Sequence, residues 1–341
     1  MPSLLAVASA LLAVSFGLWL SNTNPFIALS ALFIGAIGDA YRLTESLVKA
    51  SPLLYTGLAV TLALHAGVWN IGAEGQLLLG ALAAVGVGRY VAALPPILAI
   101  PLVCSAAMLA GGLWAALPAY LKTQRGVSEV LSTIMLNFIA ASLLSYCVHG
   151  PLKESTGQYP QTDPVPAATH LPRLLPPTRL HLGVPLSFLC TLAVSCVLFR
   201  TKAGFRLRAT GANPLAAQLA GIVVKREINR ALLLSGALAG LAGAIEVTGV
   251  TLRVYERFSP GYGYTAIAVA LVGQKSPSGV LFAALFFGAL EAGSGTMQRV
   301  AGVSSGLVAI IQATIVFFLA GYSTEAVQRL LSRLHMPRHN P

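Results

Sequence analysis

The sequence predicts an all-α polytopic membrane protein, and three observations support this prediction. Of the 341 residues, 56% are hydrophobic and only 10% are charged, whereas about a quarter of the residues in a soluble domain are charged. Several apolar runs approach the ~20 residues that cross a bilayer as a helix. The basic residues lie mainly between these runs. A soluble α/β enzyme would instead show short apolar strands between charged helices.

Ten apolar segments are predicted to cross the membrane as helices, because lipid offers no partner to an open sheet edge. They cover residues 4–20, 51–66, 76–94, 97–117, 128–148, 185–199, 231–250, 262–274, 277–297 and 304–321. The stretch 26–37 is too short to span and is interpreted as an interfacial or re-entrant piece. The chain 1–341 is treated as a single transmembrane domain.

The basic segments predict the orientation of these spans. The segment 200–230 holds seven Lys or Arg against one Glu, and the tail 322–341 adds three arginines. Lys122 and Arg125 lie between the fourth and fifth spans. If ten spans alternate, all three regions fall on one side, which the positive-inside rule makes the cytoplasm. Both termini are then cytoplasmic, and the net charge of +11 indicates membrane orientation rather than nucleic-acid binding.

The segment 149–184 falls on the opposite, external side in this topology. It contains seven prolines, which favour an extended and irregular loop. His149, His170 and His181 show no metal-ligand spacing and are expected to be solvated loop residues.

A polar break within an apolar stretch is the strongest candidate for a functional site. Trp69, Asn70, Glu74 and Gln76 follow one another in a segment that also carries three glycines. Polar groups inside membrane spans are costly, and transporters use broken helices to line substrate sites. The alternative is a short cytoplasmic turn whose polar groups face water.

Further polar and small residues lie within the predicted spans. A single amide or carboxyl group there often only hydrogen-bonds across helices. Gly236 and Gly240 form a GxxxG pair, which predicts close helix packing. The additional polar candidates are Asn137, Glu246, Glu291, Gln298 and Gln312.

The chain lacks the motifs of an enzyme. There is no GxxxxGK[ST] sequence for ATP phosphates, and no HExxH or GxSxG nucleophile site. We therefore expect that this chain is not an enzyme and that it binds no cofactor or metal. If ATP drives its activity, a separate subunit binds the ATP and Mg.

Four blocks resemble the permeases of bacterial ABC importers for simple sugars and nucleosides, a branched family that includes the ribose-type permeases. They are AGVWNIGAEGQLLLGALAA (66–84), GVSEVLSTIMLNFIA (126–140), GFRLRATGANPLAAQLAGI (204–222) with LSGALAGLAGAIEVTGV (234–250), and GYGYTAIAVALVGQKSPSGVLFAALFFGALEAG (261–293). NIGAEGQ and EVLSTIMLN resemble the nucleoside branch more than the ribose branch. Many relatives have an Arg or a Lys-His-Pro-like stretch where this chain has Gln274-Lys275-Ser276-Pro277.

The resemblance implies a multi-pass permease of about ten helices in the bacterial cytoplasmic membrane. It implies pairing with a second permease, in a homo- or heterodimer, on two ABC ATPase subunits. A solute-binding protein or lipoprotein would deliver the cargo. The segment 204–222 resembles the cytoplasmic coupling segment within the loop 200–230, and Asn213-Pro214 suits the start of a short helix. The expected coupling residues are Gly211, Asn213, Pro214, Ala216, Ala217 and Gly221.

The resulting functional hypothesis is nucleoside translocation past the broken segments. Asn70, Glu74, Gln76 and Asn137 are expected to line or support the pathway, and Trp69 and Tyr264 could stack on a base. One alternative is a permease for ribose-like or galactose-like sugars or riboflavin. Another is a secondary transporter that needs no ATP. A membrane enzyme is a remote alternative, because the sequence shows no set of catalytic residues.

Overall fold

A computed structural model confirms the all-helical class. The structure describes residues 2–304, 306, 309–310, 313–314 and 317–318, and these contain twelve α-helices and no strand. The helices are α1 (Pro2–Leu20), α2 (Pro25–Ile37), α3 (Ala40–His65), α4 (Ala73–Tyr90), α5 (Pro96–Arg125), α6 (Glu129–His149), α7 (Gly183–Arg200), α8 (Lys202–Ala212), α9 (Pro214–Leu219), α10 (Val224–Glu246), α11 (Tyr262–Val272) and α12 (Pro277–Ala301).

Six of the described helices are long and apolar enough to cross a bilayer, namely α3, α5, α6, α7, α12, and α10 with its extension to Thr251. This is fewer than the ten predicted spans. The predicted span 262–274 corresponds to α11, whose 11 residues rise only about 16 Å against a ~30 Å hydrocarbon core. The stretch 26–37 is a 13-residue helix, α2, and so is also too short. The tenth predicted span and the tail 322–341 lie largely or wholly outside the described residues.

The contacts divide the chain into two compact units. One consists of Met1–Ser46 with Ala289–Pro341, and the other of Leu47–Gly288. In the first unit, an apolar core joins side chains of α1, α2 and the end of α12, among them Leu18, Ala28 and Met297, all fully buried.

The second unit is organised around glycine contacts among α4, α5 and α10. A methyl group on Gly240 would lie 2.2 Å from the backbone oxygen of Ala107, and one on Gly236 would lie 2.4 Å from that of Gly111. Three residues further along α10, a methyl group on Gly243 would lie 2.1 Å from the Leu77 oxygen of α4. The close packing predicted from the GxxxG pair is confirmed, with α5 as the partner of that face.

The segment 149–184 has no long helix and contains one 3₁₀ turn, Ala167–Thr169. Backbone hydrogen bonds attach it to the chain that follows α10. The Leu171 N–H donates to the Thr248 oxygen at 3.0 Å, and the Val165 N–H donates to the Leu252 oxygen at 2.8 Å. The irregular backbone predicted from the prolines is therefore present, but it is anchored rather than free.

His181 does not behave as predicted. Its side chain is fully buried, whereas His149 remains exposed as expected. The His181 ring packs on Gly249, where a methyl group would lie 2.7 Å from Nδ1, and Nδ1 accepts a hydrogen bond from the Gly183 N–H at 3.1 Å. Gly249 belongs to a π-helical turn, Val247–Thr251, that extends α10. The imidazole thus joins the segment 149–184 to this turn.

We expect Gly240→Ala to destabilise the folded protein. The added methyl group would force α5 and α10 apart, and overpacking of this kind costs roughly 1–3 kcal/mol. The measurement is the thermal unfolding midpoint of the detergent-purified chain. Gly86→Ala is the matched control, because nothing lies within 4 Å of a methyl group there. Equal midpoints for the two variants would contradict the packing account.

Acid should destabilise the protein through His181. Burial, assisted by the charge of Arg179, lowers the pKa of this imidazole to about 4. Between that value and the ordinary value of ~6.5, the unfolded chain binds a proton that the folded chain does not. The free energy of unfolding should therefore fall by up to roughly 3 kcal/mol as the pH drops from 7 to 4.

His181→Asn removes the titrating group and leaves an oxygen near the Gly183 N–H. The free energy of unfolding of this variant should depend less steeply on pH across that range. His149→Asn, at an exposed position, should keep the wild-type dependence. A His181→Asn profile that parallels the wild type would refute the assignment.

Candidate functional site at two interrupted helices

The polar segment 66–72 interrupts the chain between α3 and α4 inside the protein. Gly67 adopts a φ of +75°, a left-handed conformation that glycine adopts readily. Three polar side chains that follow are buried: Asn70 and Gln76 are 1% exposed and Glu74 is 7% exposed. The arrangement is a buried helix break rather than a water-facing turn.

Asn70 and Gln76 form a reciprocal amide pair at the centre of the break. The Asn70 Nδ2 donates to Gln76 Oε1 at 2.8 Å and to the Ser235 hydroxyl at 2.7 Å. The Asn70 Oδ1 accepts from Gln76 Nε2 and from the Gly72 N–H, both at 3.0 Å. The Ser235 hydroxyl then donates to the Ala59 oxygen on α3 at 2.6 Å. These groups satisfy one another, and Asn70 and Gln76 thereby stabilise the break.

One face of α6 holds the break from the other side. The Asn137 Oδ1 accepts from the Gly75 N–H, and its Nδ2 donates to the Ile71 oxygen, both at 2.9 Å. Two turns earlier, Glu129 Oε1 accepts from the Trp69 N–H at 3.4 Å. The blocks 66–84 and 126–140 are therefore in contact.

Lys122, at the end of α5, supports Glu129 from outside the break. Its Nζ lies 2.8 Å from Glu129 Oε2, and the Glu129 side chain is 9% exposed. A buried carboxylate needs such a partner. The ion pair fixes the carboxylate whose other oxygen accepts from the backbone of the break.

Glu74 connects the first break to a second one. Residues 252–261 separate the π-helical turn from α11, and Glu74 Oε2 accepts from the Gly263 N–H in the first turn of α11 at 2.7 Å. A carboxylate at a helix N-terminus is stabilised by the unpaired N–H groups there.

The two helix starts approach so closely that a side chain at position 263 has no space. A methyl group on Gly263 would lie 2.1 Å from the Glu74 backbone nitrogen and 2.4 Å from its Cα. Sequence reasoning placed Glu74 in the polar break and Gly263 in the separate span 262–274, and it did not select Gly263 or Ser235 as site residues. In the sequence, the only feature that marks Gly263 and Ser235 is that they are small residues within the blocks 261–293 and 234–250.

Trp69 and Tyr264, the aromatic candidates, are the exposed members of the predicted set. Trp69 is 39% exposed and Tyr264 is 45% exposed in the single chain. Among the ring contacts between described residues, none joins them. Their role in stacking on a base stays a prediction.

The predicted coupling segment forms α8 and α9, with Gly221 just beyond α9 at a φ of +80°. Asn213 caps α9, since its Oδ1 accepts from the Leu215 and Ala216 N–H groups at 3.1 Å, and Pro214 is the first helical residue. The predicted cap and helix start are therefore confirmed.

The apolar side chains of α9 do not share one face. Ala217 is buried at 3% exposure, whereas Leu215 and Leu219 are 74% and 91% exposed. Ala216 is exposed as well. The exposed apolar surface of α9 therefore includes Leu215 and Leu219, whereas Ala217 packs inward.

The end of α8 lies directly on the start of the first break. A methyl group on Gly211 would lie 2.3 Å from the His65 oxygen and 2.7 Å from the Gly67 nitrogen. The two backbones approach so closely that a side chain at position 211 has no space, which leaves little freedom for the two segments to move separately. A displacement of α8 would therefore reach Gly67, three residues before Asn70.

The hydrogen bonds of these residues position helices. Within the described residues, no cluster of three His, Cys, Asp or Glu side chains could hold a metal ion. The amides, the serine hydroxyl and the two carboxylates stabilise irregular backbone between helices, which membrane proteins tolerate only where it is buried in protein or lines a cavity.

Comparisons with known proteins agree with the sequence resemblance. The family model described as branched-chain amino acid transport system / permease component matches residues 42–320. The glucose ABC transporter permease protein of Haloferax volcanii is 39% identical over 92% of this chain and 85% of its own length. No solved structure matches.

Two further relatives are named for nucleosides. The guanosine ABC transporter permease protein of Bacillus subtilis is 35% identical over 97% of this chain and 95% of its own. The nucleoside ABC transporter permease protein of Lactococcus lactis is 31% identical over 91% and 89%.

Glu74→Ala should reduce transport strongly, by about tenfold or more, while the protein still reaches the membrane. The substitution leaves the Gly263 N–H without its acceptor, and one unsatisfied buried group costs about 1–3 kcal/mol. Glu74→Gln retains an acceptor oxygen and should keep much more activity. The measurement is uptake per amount of membrane-embedded protein. Unchanged uptake in Glu74→Ala would show that the 74–263 contact is not needed for transport.

Proposed function

Because the chain belongs to the family of branched-chain amino acid transport system permease components, we propose that it is the transmembrane permease of an ATP-binding-cassette importer whose cargo is a nucleoside. The observation that carries this proposal is the backbone contact of Gly211 with His65 and Gly67. It joins a surface suited to an ATPase to the break that holds the polar site.

The proposed mechanism follows that contact. ATP binding closes two ATPase subunits, which pull on the exposed Leu215 and Leu219 of α9. The displacement passes through Gly211 to the break at 66–72. From there, Glu74 passes it to the start of α11. The helices then rock, and access to the pathway changes from the outside to the inside.

The nucleoside assignment rests on relatives and on the chemistry of the site. Two relatives that this chain matches over nearly its full length are named for guanosine or nucleosides. The exposed aromatic rings of Trp69 and Tyr264 are suited to stacking on a nucleobase. A sugar is the second candidate, because a glucose permease is 39% identical.

The proposal includes partners and topology. A second permease completes the pathway as a homo- or heterodimer, and a solute-binding protein or lipoprotein delivers the cargo. About ten helices cross the bacterial cytoplasmic membrane, with α11 and the segment after α10 as interrupted elements. Both termini and the α8–α9 segment lie in the cytoplasm, as the basic residues of 200–230 predict. ATP and Mg bind to the partner ATPase.

Uridine uptake by the complete transporter tests this proposal, and α9 offers the decisive variant. Cells lacking other nucleoside uptake should accumulate uridine, and Leu219→Asp should lower that accumulation at least tenfold, because a charge would enter the apolar ATPase contact. Leu219→Met is the matched control and should retain uptake. Ala217→Asp is unsuitable, because Ala217 is buried within the chain.

The result separates the alternatives. A secondary transporter would carry uridine equally well with Leu219→Asp and without the ATPase. A sugar permease would take up glucose or ribose instead of uridine. Other sugars, and not nucleosides, would then inhibit that sugar uptake. Either outcome would overturn the nucleoside importer.

A further inference from the structure

An open cleft lies between α7, α8 and α10, away from the two helix breaks. Its volume is about 530 Å³. Most of its lining is apolar, and each of the three helices contributes, as Val197, Leu207 and Leu234 show. The charged side chains in the lining are Arg206 on α8 and Glu227 and Arg230 on α10. The cleft thus combines apolar walls with a small group of charges.

The charge that this cleft presents to its surroundings is positive. Arg230 Nη1 donates to Glu227 Oε1 at 2.8 Å, and the Glu227 side chain is 3% exposed whereas that of Arg230 is 40% exposed. The carboxylate is therefore buried behind its partner. Arg206 is exposed, and no described residue hydrogen-bonds or ion-pairs with its guanidinium. Two guanidinium groups are accessible, and one of them lacks a counter-charge.

The cleft extends from the membrane surface into the bilayer. With its π-helical extension α10 has 28 residues, about 42 Å at 1.5 Å per residue, so that when centred it exceeds a ~30 Å hydrocarbon core by about 6 Å at each end. Measured along the helix from Val224, Arg230 lies about 9 Å in and Leu234 about 15 Å in. The arginine is therefore close to the edge of the hydrocarbon core, and the leucine lies inside it.

These depths favour an amphiphile over a soluble partner. A cytoplasmic protein does not reach Leu234, and a small anion makes no use of the apolar walls. Acyl chains surround a membrane helix in any case and are as apolar as leucine, so the headgroup decides which lipid is preferred. Guanidinium groups match the geometry of a phosphate, and basic pockets between membrane helices on the cytoplasmic side bind anionic headgroups.

We propose that this cleft binds an anionic phospholipid of the cytoplasmic leaflet, with the phosphate between Arg206 and Arg230 and one acyl chain along Leu234. The choice of leaflet rests on the proposed function, in which α8 and α9 are cytoplasmic. The lipid bridges α8 and α10. Because the end of α8 lies on the first break through Gly211, the lipid stabilises the position of the segment that is proposed to transmit the displacement.

Native mass spectrometry of the full chain in a neutral detergent measures the affinity of the first bound lipid. Dioleoylphosphatidylglycerol should bind at least tenfold more tightly than dioleoylphosphatidylcholine, which has the same acyl chains and no net charge. Glycerophosphoglycerol, the same headgroup without acyl chains, should not displace the bound lipid. The first comparison tests the role of the charge, and the second tests the role of the apolar walls.

Matched variants locate the site. Arg206→Gln should weaken phosphatidylglycerol binding about fivefold, which corresponds to the ~1 kcal/mol that one basic residue contributes near an anionic surface. Arg226→Gln removes the same charge from an exposed position of α10 outside the lining and should leave the affinity unchanged. Leu234→Trp should fill the apolar end and weaken binding, whereas Leu192→Trp, at an exposed position of α7 outside the lining, should not.

Three results would overturn the inference. They are equal affinities for the two lipids, displacement of the bound lipid by glycerophosphoglycerol, and equal effects of Arg206→Gln and Arg226→Gln. Loss of ATPase co-purification in Arg206→Gln with unchanged lipid binding would also overturn it, because the cleft would then be an ATPase contact.

The binding assay needs neither the ATPase nor a cargo, so its outcome is separable from the proposed function. Selective phosphatidylglycerol binding without ATPase-dependent uridine uptake would refute the importer and leave the lipid site standing. Normal uptake with equal binding of both lipids would refute the lipid site and leave the importer intact.

Discussion

The structure depends on one constraint: a helix interrupted inside the protein exposes backbone groups that must find partners there. In a membrane no water is available to replace them. Between α3 and α4 the partners are buried side chains. Asn70 and Gln76 pair with each other, and Asn137 holds Gly75 and Ile71. The expensive polar residues of this segment are explained by that requirement before any contact with a solute is considered.

The same break is the point at which distant parts of the second unit meet. Ser235 brings in α10, Asn137 brings in α6, and Glu74 brings in α11. Gly211 adds the predicted coupling segment. Interhelical hydrogen bonds in membranes average only about 0.6 kcal/mol each, so no single bond holds the arrangement. Close glycine contacts between α4, α5 and α10 provide the packing on which these bonds depend.

The amino-acid sequence predicted those features that are local. Proline at the first helical position and asparagine before it are sufficient to indicate the start of α9. Two glycines four apart are sufficient to indicate the tight face of α10. The polar break at 67–76 could be recognised because polar residues stand out against an apolar background.

The remaining features depend on which segments meet in space. His181 looks like an ordinary loop histidine until the segment 149–184 is seen to pack on Gly249. Ala217 looks like part of an apolar surface until its neighbours are known. Glu74 and Gly263 are 189 residues apart, and no local pattern connects them.

Hydrogen exchange of the segment 71–76 in an Asn137→Ala variant tests most directly whether buried side chains stabilise the break. Asn137 contacts the break through two hydrogen bonds, and the measurement does not depend on transport activity. The account predicts that amides of 71–76 exchange faster than in the wild type, while those of α10 keep their protection. Unchanged exchange in 71–76, or an equal loss of protection throughout α10, would contradict it.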